Sequence, residues 1–311
     1  MPDLFQRDAF WNRIYERARK DRNIIVISAD MGAPALDRFR RDLPGQFVNV
    51  GIAEQNGVLV AAGLALTGKK SFLYAIAPFV TLRCLEQIRV ENAMMKLPIT
   101  LVGVGAGFGY EDSGPTHHSV EDLAMLRALP DLEINSISDS VMAAAFADLS
   151  CGMDRSNYVR LDREVLPGIY RPGTDFRRGL AVLRRGGSCC LLATGRMTHA
   201  ALEVAERVRR KGTPVGVVDI HTLPINEKEL LAAVSGYGKL VTLEEHFLAG
   251  GLGSAVSEVL TDRGRAMPLK RLGLSPDKGY CYVYGGRGNI HRYYGIDAAS
   301  IERQVAAFLK K

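Results

Sequence analysis

No apolar stretch of about 18 residues in this chain is free of charge, which argues against a membrane-spanning helix and against a membrane partner. Met1 to Lys20 mixes charges throughout and lacks the apolar centre of a signal peptide, so a cytoplasmic location is expected. Cysteine is sparse: Cys84, Cys151, Cys189, Cys190 and Cys281 are odd in number, form no Cys-x-x-Cys pair and have no zinc spacing. They read as reduced core thiols in a reducing compartment. Low-complexity segments are absent, and 47% hydrophobic against 24% charged residues is an ordinary globular balance. Phosphate-binding fingerprints are missing as well. Gly250-Gly251-Leu252-Gly253 matches neither a Walker loop nor Gly-x-Gly-x-x-Gly, and Gly103 to Gly109 is too loose for a dinucleotide site.

The chain does have a basic balance, with net charge +6 and a pI near 9.1. Its arginines are scattered, and the clusters Arg38-Arg40-Arg41 and Arg207-Arg209-Arg210-Lys211 fall on expected helix faces or ends. Nucleic-acid binding is not expected from that pattern, whereas anionic small molecules such as sugar phosphates suit it. Short β-branched runs alternate with helical segments: Ile24–Ile27, Ser71–Tyr74, Ile99–Val104, Leu132–Ile137 and Tyr158–Leu161, with helices near Phe10–Arg19 and Thr81–Met95. Alternation of this kind predicts an α/β fold with a mainly parallel sheet flanked by helices. Glu164 to Leu180 breaks the pattern with Pro167, Gly168, Pro172, Gly173 and Gly179, as a linker does. A second, smaller α/β block follows, with runs at Cys189–Ala193, Val215–Ile220 and Leu240–Leu243 and helices near 198–210, 227–234 and 253–260. The expected division is a first domain over 1–167, a linker over 168–180 and a second domain over 181–311.

Two motifs could carry chemistry. In Gly51-Ile52-Ala53-Glu54-Gln55-Asn56 an apolar strand-like run ends in glycine, and an almost wholly apolar segment, Gly57 to Leu66, follows. Glu54 is therefore placed at the N-terminus of a buried helix. A buried carboxyl has a raised pKa because desolvation penalises its charged form, and it can then donate a hydrogen bond at neutral pH. Spacing alone equally accommodates a glutamate placed there by the helix dipole. In Glu111-Asp112-Ser113-Gly114-Pro115-Thr116-His117-His118, glycine and proline set a turn after the Ile99–Val104 strand. Ligands in open α/β sheets bind beyond the carboxyl ends of strands, and a histidine there can bind a hydroxyl or move a proton near neutral pH.

Together these motifs resemble the C-terminal half of a transketolase, a pyrimidine-binding domain followed by a C-terminal domain, and the resemblance covers most of the 311 residues. It implies thiamine diphosphate as cofactor. Glu54 would hydrogen-bond the aminopyrimidine and so promote removal of the thiazolium proton, the cofactor then acting as an electron sink. His117 would reach the substrate near the reacting carbon, with His118 at the adjoining position. Arg163 and Arg7 align with arginines that bind a substrate phosphate, a task suited to the guanidinium fork. Asp30 matches an aspartate near the cofactor and the dimer contact. Phe79, the one aromatic in Ala75–Thr81, lies one place from the position that normally stacks on the pyrimidine, which Val80 holds.

Departures from the family pattern shape the expectation further. Ser113 replaces an aspartate that reads a substrate hydroxyl, and Gly105 replaces a further histidine, so an unusual sugar is expected in place of ordinary pentose phosphates. No Gly-Asp-Gly segment is present to hold a diphosphate and its cation. The resemblance thus implies the β-type subunit of a split enzyme. An N-terminal partner subunit would hold the diphosphate and Mg²⁺ (or Ca²⁺ or Mn²⁺) in an α2β2 assembly, and the pair would transfer a two-carbon ketol unit between sugars or sugar phosphates. The alternatives are a deoxyxylulose-phosphate-synthase-like or 2-oxoacid-dehydrogenase-β-like subunit, and a non-catalytic scaffold.

Overall fold

The computed structural model describes residues 4–32 and 34–310; the ends of the two expected domains, at residues 1–3 and 311, lie outside it, as does residue 33. The chain divides into two compact units. One comprises the chain up to Gly109 together with Thr116–Thr174, and the other Tyr110–Pro115 together with the chain from Asp175. Each is a mostly parallel sheet flanked by helices.

The first unit runs α1 (Gln6–Ala18), β1 (Ile24–Ser28), α2 (Pro34–Asp42), β2 (Phe47–Asn49), α3 (Glu54–Leu66) and β3 (Lys70–Ile76). After β3 come α4 (Ala77–Val80), a 3₁₀ turn at Leu82–Cys84, α5 (Leu85–Gln87) and a π-helical stretch over Ile88–Met94. β4 (Ile99–Val104), α6 (Asp122–Leu126), β5 (Leu132–Ser136), α7 (Ser140–Gly152) and β6 (Ser156–Leu161) complete it. Within this unit the strand order is β5-β6-β4-β3-β1-β2 and every neighbouring pair is parallel. All carboxyl ends therefore lie on one edge. β1, β4 and β6 are buried at every position, as expected for strands covered on both faces. The single helix expected over Thr81–Met95 is instead broken into short pieces, because the chain adopts 3₁₀ and then π geometry within it.

The second unit contains β7 (Leu180–Arg184), β8 (Cys189–Ala193), α8 (Met197–Arg210), β9 (Gly216–Ile220), the two-residue β10 (Thr222–Leu223), α9 (Glu227–Val234), β11 (Lys239–Phe247), α10 (Leu252–Asp262), β12 (Leu269–Leu274), α11 (Arg287–Tyr294) and α12 (Ala298–Leu309). Its five-stranded sheet has the order β12-β11-β8-β9-β7, with β7 antiparallel to β9 and the other pairs parallel. The Gly250–Gly253 run caps β11's return into α10. Glu244 accepts hydrogen bonds from the Leu252 and Gly253 amides at 2.7 and 2.9 Å, so the helix N-terminus already holds an anion of the chain itself. A Cβ at Gly251 would stand 1.9 Å from Glu244 Oε2, so any larger residue must displace this cap. All five cysteines are free and buried. Burial pushes the thiols up, Cys84 to about 12 and Cys151 and Cys189 to about 11, which keeps them protonated and unreactive.

Candidate functional site

The carboxyl ends of the first sheet gather most of the residues singled out by sequence. After β1 the chain turns at Asp30, which has a left-handed φ of 54°. Asn49, at the end of β2, holds that turn: its Oδ1 accepts from the Asp30 amide and its Nδ2 donates to Asp30 Oδ1, both at 3.1 Å. The same Oδ1 accepts from the Gly51 amide at 3.0 Å, so the turn carrying Asp30 and the segment leading into Glu54 are fixed as one piece. Asp30 itself is exposed.

Glu54 opens α3 and is 4% exposed. The burial expected of it is present, together with a partner that sequence reading missed. Arg83 Nη1 donates to Glu54 Oε2 at 2.7 Å. The guanidinium carbon of Arg83 also lies 4.1 Å from the centre of the Phe79 ring, a cation–π contact. Phe79 in turn meets the His117 ring edge-on at 5.0 Å between centroids. Glu54, Arg83, Phe79 and His117 thus form one continuous row. Val80 is fully buried while Phe79 is only partly so, which makes Phe79 the aromatic that faces outward here. A faint signal for Arg83 existed: it is the one charge in the stretch Phe79–Leu85.

Two further arrangements support the row. Gly103 in β4 sits against α4, where an added Cβ would lie 3.0 Å from the Ala77 Cα and 2.8 Å from the Tyr158 ring. Close approach at this point sets the helix turn that presents Phe79. Beneath the His117 turn, Arg160 Nε and Tyr158 Oη donate to Asp122 Oδ2 at 2.7 and 3.0 Å, and Arg160 Nη2 donates to the Ser119 carbonyl at 2.9 Å. All four residues are buried, and Ser119 pairs with Gly107 through two backbone bonds of 2.8 and 3.0 Å. Burial foremost, with the adjacent Asp122 charge, raises the Tyr158 hydroxyl well above its ordinary value, so it stays a donor. His118 points inward, 3% exposed, with its ring against Phe108 at 4.9 Å.

Arg163 follows β6 and is exposed, and Arg7 lies in the first turn of α1, donating to Asp8 Oδ1 at 2.8 Å. Gln6 stitches these two places together. Its Nε2 donates to the Ile137 carbonyl at 3.1 Å and its Oε1 accepts from the Asp162 amide at 2.7 Å, so the start of α1 is tied to the loop that carries Arg163. Nothing in the sequence pattern signals a buried glutamine at this point.

Such a constellation is a carboxylate, an aromatic face and a histidine on the open edge of a parallel sheet, followed by a second α/β unit. The transketolase pyrimidine-binding domain model matches residues 5–168, and the transketolase C-terminal domain model matches residues 179–301. The chain belongs to the transketolase family. This transketolase chain is 33% identical over 309 residues to an apulose-4-phosphate transketolase subunit of Phocaeicola vulgatus, covering 98% of itself and 97% of that relative. It is 35% identical over 271 residues to a 6-deoxy-6-sulfo-D-fructose transketolase subunit of a Clostridium species, covering 86% of itself and 84% of the relative. A solved structure described as a split-gene transketolase, an inactive beta4 tetramer, superposes with a TM-score of 0.86 at 31% identity, covering 98% of this chain and 97% of that one. The chain accordingly corresponds to the pyrimidine-binding and C-terminal domains of a transketolase, and these relatives of similar length are described as subunits or as a split-gene enzyme. Among the described residues no group of three His, Cys, Asp or Glu side chains is placed to hold a metal ion, and no helix is long and apolar enough to cross a membrane.

Proposed function

We propose that this chain is the subunit of a split, thiamine-diphosphate-dependent transketolase that contributes the pyrimidine half of the active site. The row Glu54–Arg83–Phe79–His117 carries the reading. Its parts fit the cofactor. A buried carboxylate with Oε2 held by Arg83 can meet a ring nitrogen, and Phe79 offers an aromatic face next to it. When bound, the cofactor supplies a carbon nucleophile that also serves as an electron sink for a two-carbon ketol unit. Glu54 holds or shares the proton at the ring nitrogen. His117, on the same edge, positions the reacting oxygen and moves its proton. His118 anchors the turn against Phe108. Asp30 braces the loop beside Glu54 through Asn49. Arg163 and Arg7, tied through Gln6, hold the distal anion of the sugar. The named substrates of two relatives are a phosphorylated and a sulfonated sugar, which suits a ketose bearing such a terminal anion, and Ser113 suits a substrate other than an ordinary pentose phosphate.

The diphosphate and Mg²⁺ fall to an N-terminal partner subunit, for which an α2β2 assembly is the proposed form. An exposed apolar surface next to the site supports a protein partner. Ile52 precedes α3 at 80% exposure, Leu59 and Leu66 lie two turns apart on α3 at 48% and 65%, and Met94 and Met95 stand at 63% and 46%. The test is ketol transfer from xylulose 5-phosphate and from a 6-sulfonated ketose, with thiamine diphosphate and Mg²⁺, by this chain alone and mixed with a partner carrying a Gly-Asp-Gly segment. Activity is expected only in the mixture. E54A is expected to abolish it while leaving the fold intact; normal turnover by that variant overturns the assignment of Glu54. Pyruvate decarboxylation in place of ketol transfer shifts the reading to the deoxyxylulose-phosphate-synthase or 2-oxoacid types, and absence of cofactor binding shifts it to a scaffold.

A further inference from the structure

Arg83 is the one hydrogen-bond partner of the Glu54 carboxylate among the described residues, and it is itself held on three sides. Its ion pair fixes one nitrogen, its guanidinium lies on the Phe79 ring, and its backbone carbonyl accepts from Gln55 Nε2 at 3.1 Å. The two partners differ sharply in exposure, 42% for the arginine side chain and 4% for the glutamate. Arg83 therefore lies between a buried carboxylate and solvent. Only Oε2 is engaged, and a carboxylate has acceptor capacity on both oxygens.

We infer that Arg83 is a positioning residue for the cofactor: by clamping Glu54 through Oε2 against the Phe79 face, it presents Oε1 to the pyrimidine ring nitrogen. The inference rests on the proposed function and adds a residue to it. Clamping has a physical basis. A free glutamate loses rotamer freedom on engaging a ligand, and a carboxylate already fixed by a charge-assisted bond has met that cost before the ligand arrives. The cation also makes a buried charge tolerable in a place with little other compensation. Because the guanidinium shares the Phe79 ring, the same side chain sets the carboxylate and the stacking surface in register. Cys84, next in sequence, adds no competing charge, since burial first and the Glu54 charge second push its thiol up to about 12.

The clamp acts through Glu54, and that gives a test independent of turnover. Thiamine diphosphate affinity is measured by calorimetry in the complex with the partner subunit for the unmodified chain, R83M, E54Q and the double variant. R83M keeps an unbranched stem over Phe79 without the charge. Its affinity is expected to fall about tenfold in the unmodified background and to be unchanged in the E54Q background, the signature of two residues acting as one. R83K, which keeps the charge but loses the flat guanidinium on the Phe79 ring, is expected to lose less affinity than R83M and more than none. Equal losses in both backgrounds, or no loss in either, overturn the inference while leaving the proposed function in place. Failure of the unmodified complex to bind the cofactor overturns both. Should R83M fail to fold, R83Q serves in the same cycle with the same expectation.

Discussion

A glutamate with 4% exposure is stable in its place only because a cation stands over it. The first unit repeats this solution at Asp122, where a fully buried carboxylate takes donors from Tyr158 and Arg160. Removing one partner of a buried pair costs more than the pair contributes, because a charge is left uncompensated. D122N is expected to destabilise the chain by about 3 kcal/mol, read as a lowered urea midpoint with an unchanged slope. His221 shows the opposite case, a group kept neutral by burial, which lowers its pKa to about 3. The unfolded chain takes up a proton near 6.5 that the folded chain refuses. Stability from this group is full above about 6.5 and is lost as pH falls toward 3. Glu245 adds to the loss below the ordinary carboxylate range: burial alone would raise it, but Arg287 and His291 outweigh burial and hold it well below that range. The unfolding midpoint is expected to fall between pH 6.5 and 4, and H221Q is expected to flatten that fall; an unchanged profile in H221Q counts against this account.

Among the elements, strands are the most legible in the sequence. Ile24–Ile27, Ile99–Val104 and Cys189–Ala193 announce themselves because a strand buried on both faces is an unbroken apolar run. Sequence and structure part where tertiary partners override local character. β11 continues to Phe247, well past the expected end at Leu243, because Glu244 and Glu245 are buried with partners brought from α10 and α11, and the buried His246 ring meets the Phe247 carbonyl at 2.6 Å. Charge in a sequence signals an edge, and only the fold reveals that the charge has been matched. The stretch over 81–95 reads as one helix because α, 3₁₀ and π turns draw on the same residues, and the difference lies in what they pack against. Glu54 and the Gly-Pro-Thr-His turn are legible as motifs, whereas Arg83, Gln6 and Asn49 act through contacts between distant segments. Gly103 is where one element presses on another. G103V is expected to destabilise by about 1–3 kcal/mol, and also to weaken thiamine diphosphate binding in the complex, because Ala77 and with it Phe79 must move. Thermal unfolding and calorimetry on the same variant check the two effects together.

For the molecule as a whole, the apolar surface along α3 bears on the proposed partner subunit. Patches of this kind on one chain are ordinarily covered by another. L59D is expected to prevent co-elution with the partner subunit on size-exclusion chromatography. Its own unfolding midpoint should stay within the equivalent of about 0.5 kcal/mol of the unmodified chain, since Leu59 is already 48% exposed. Co-elution of L59D with an undiminished affinity would place the interface elsewhere.

The turn at Gly251 constrains the chain in a different way. With Glu244 seated in the helix mouth, any Cβ at 251 must push its carboxylate off the Leu252 and Gly253 amides, a cost to folding that is independent of turnover. In a library of all single substitutions scored first for abundance and then for activity, depletion at 251 should appear already in the abundance score. Glu54 should drop out only in the second. Intolerance in one glycine-rich turn and in one catalytic motif would thus look alike in a survival screen and separate cleanly once folding and chemistry are read apart.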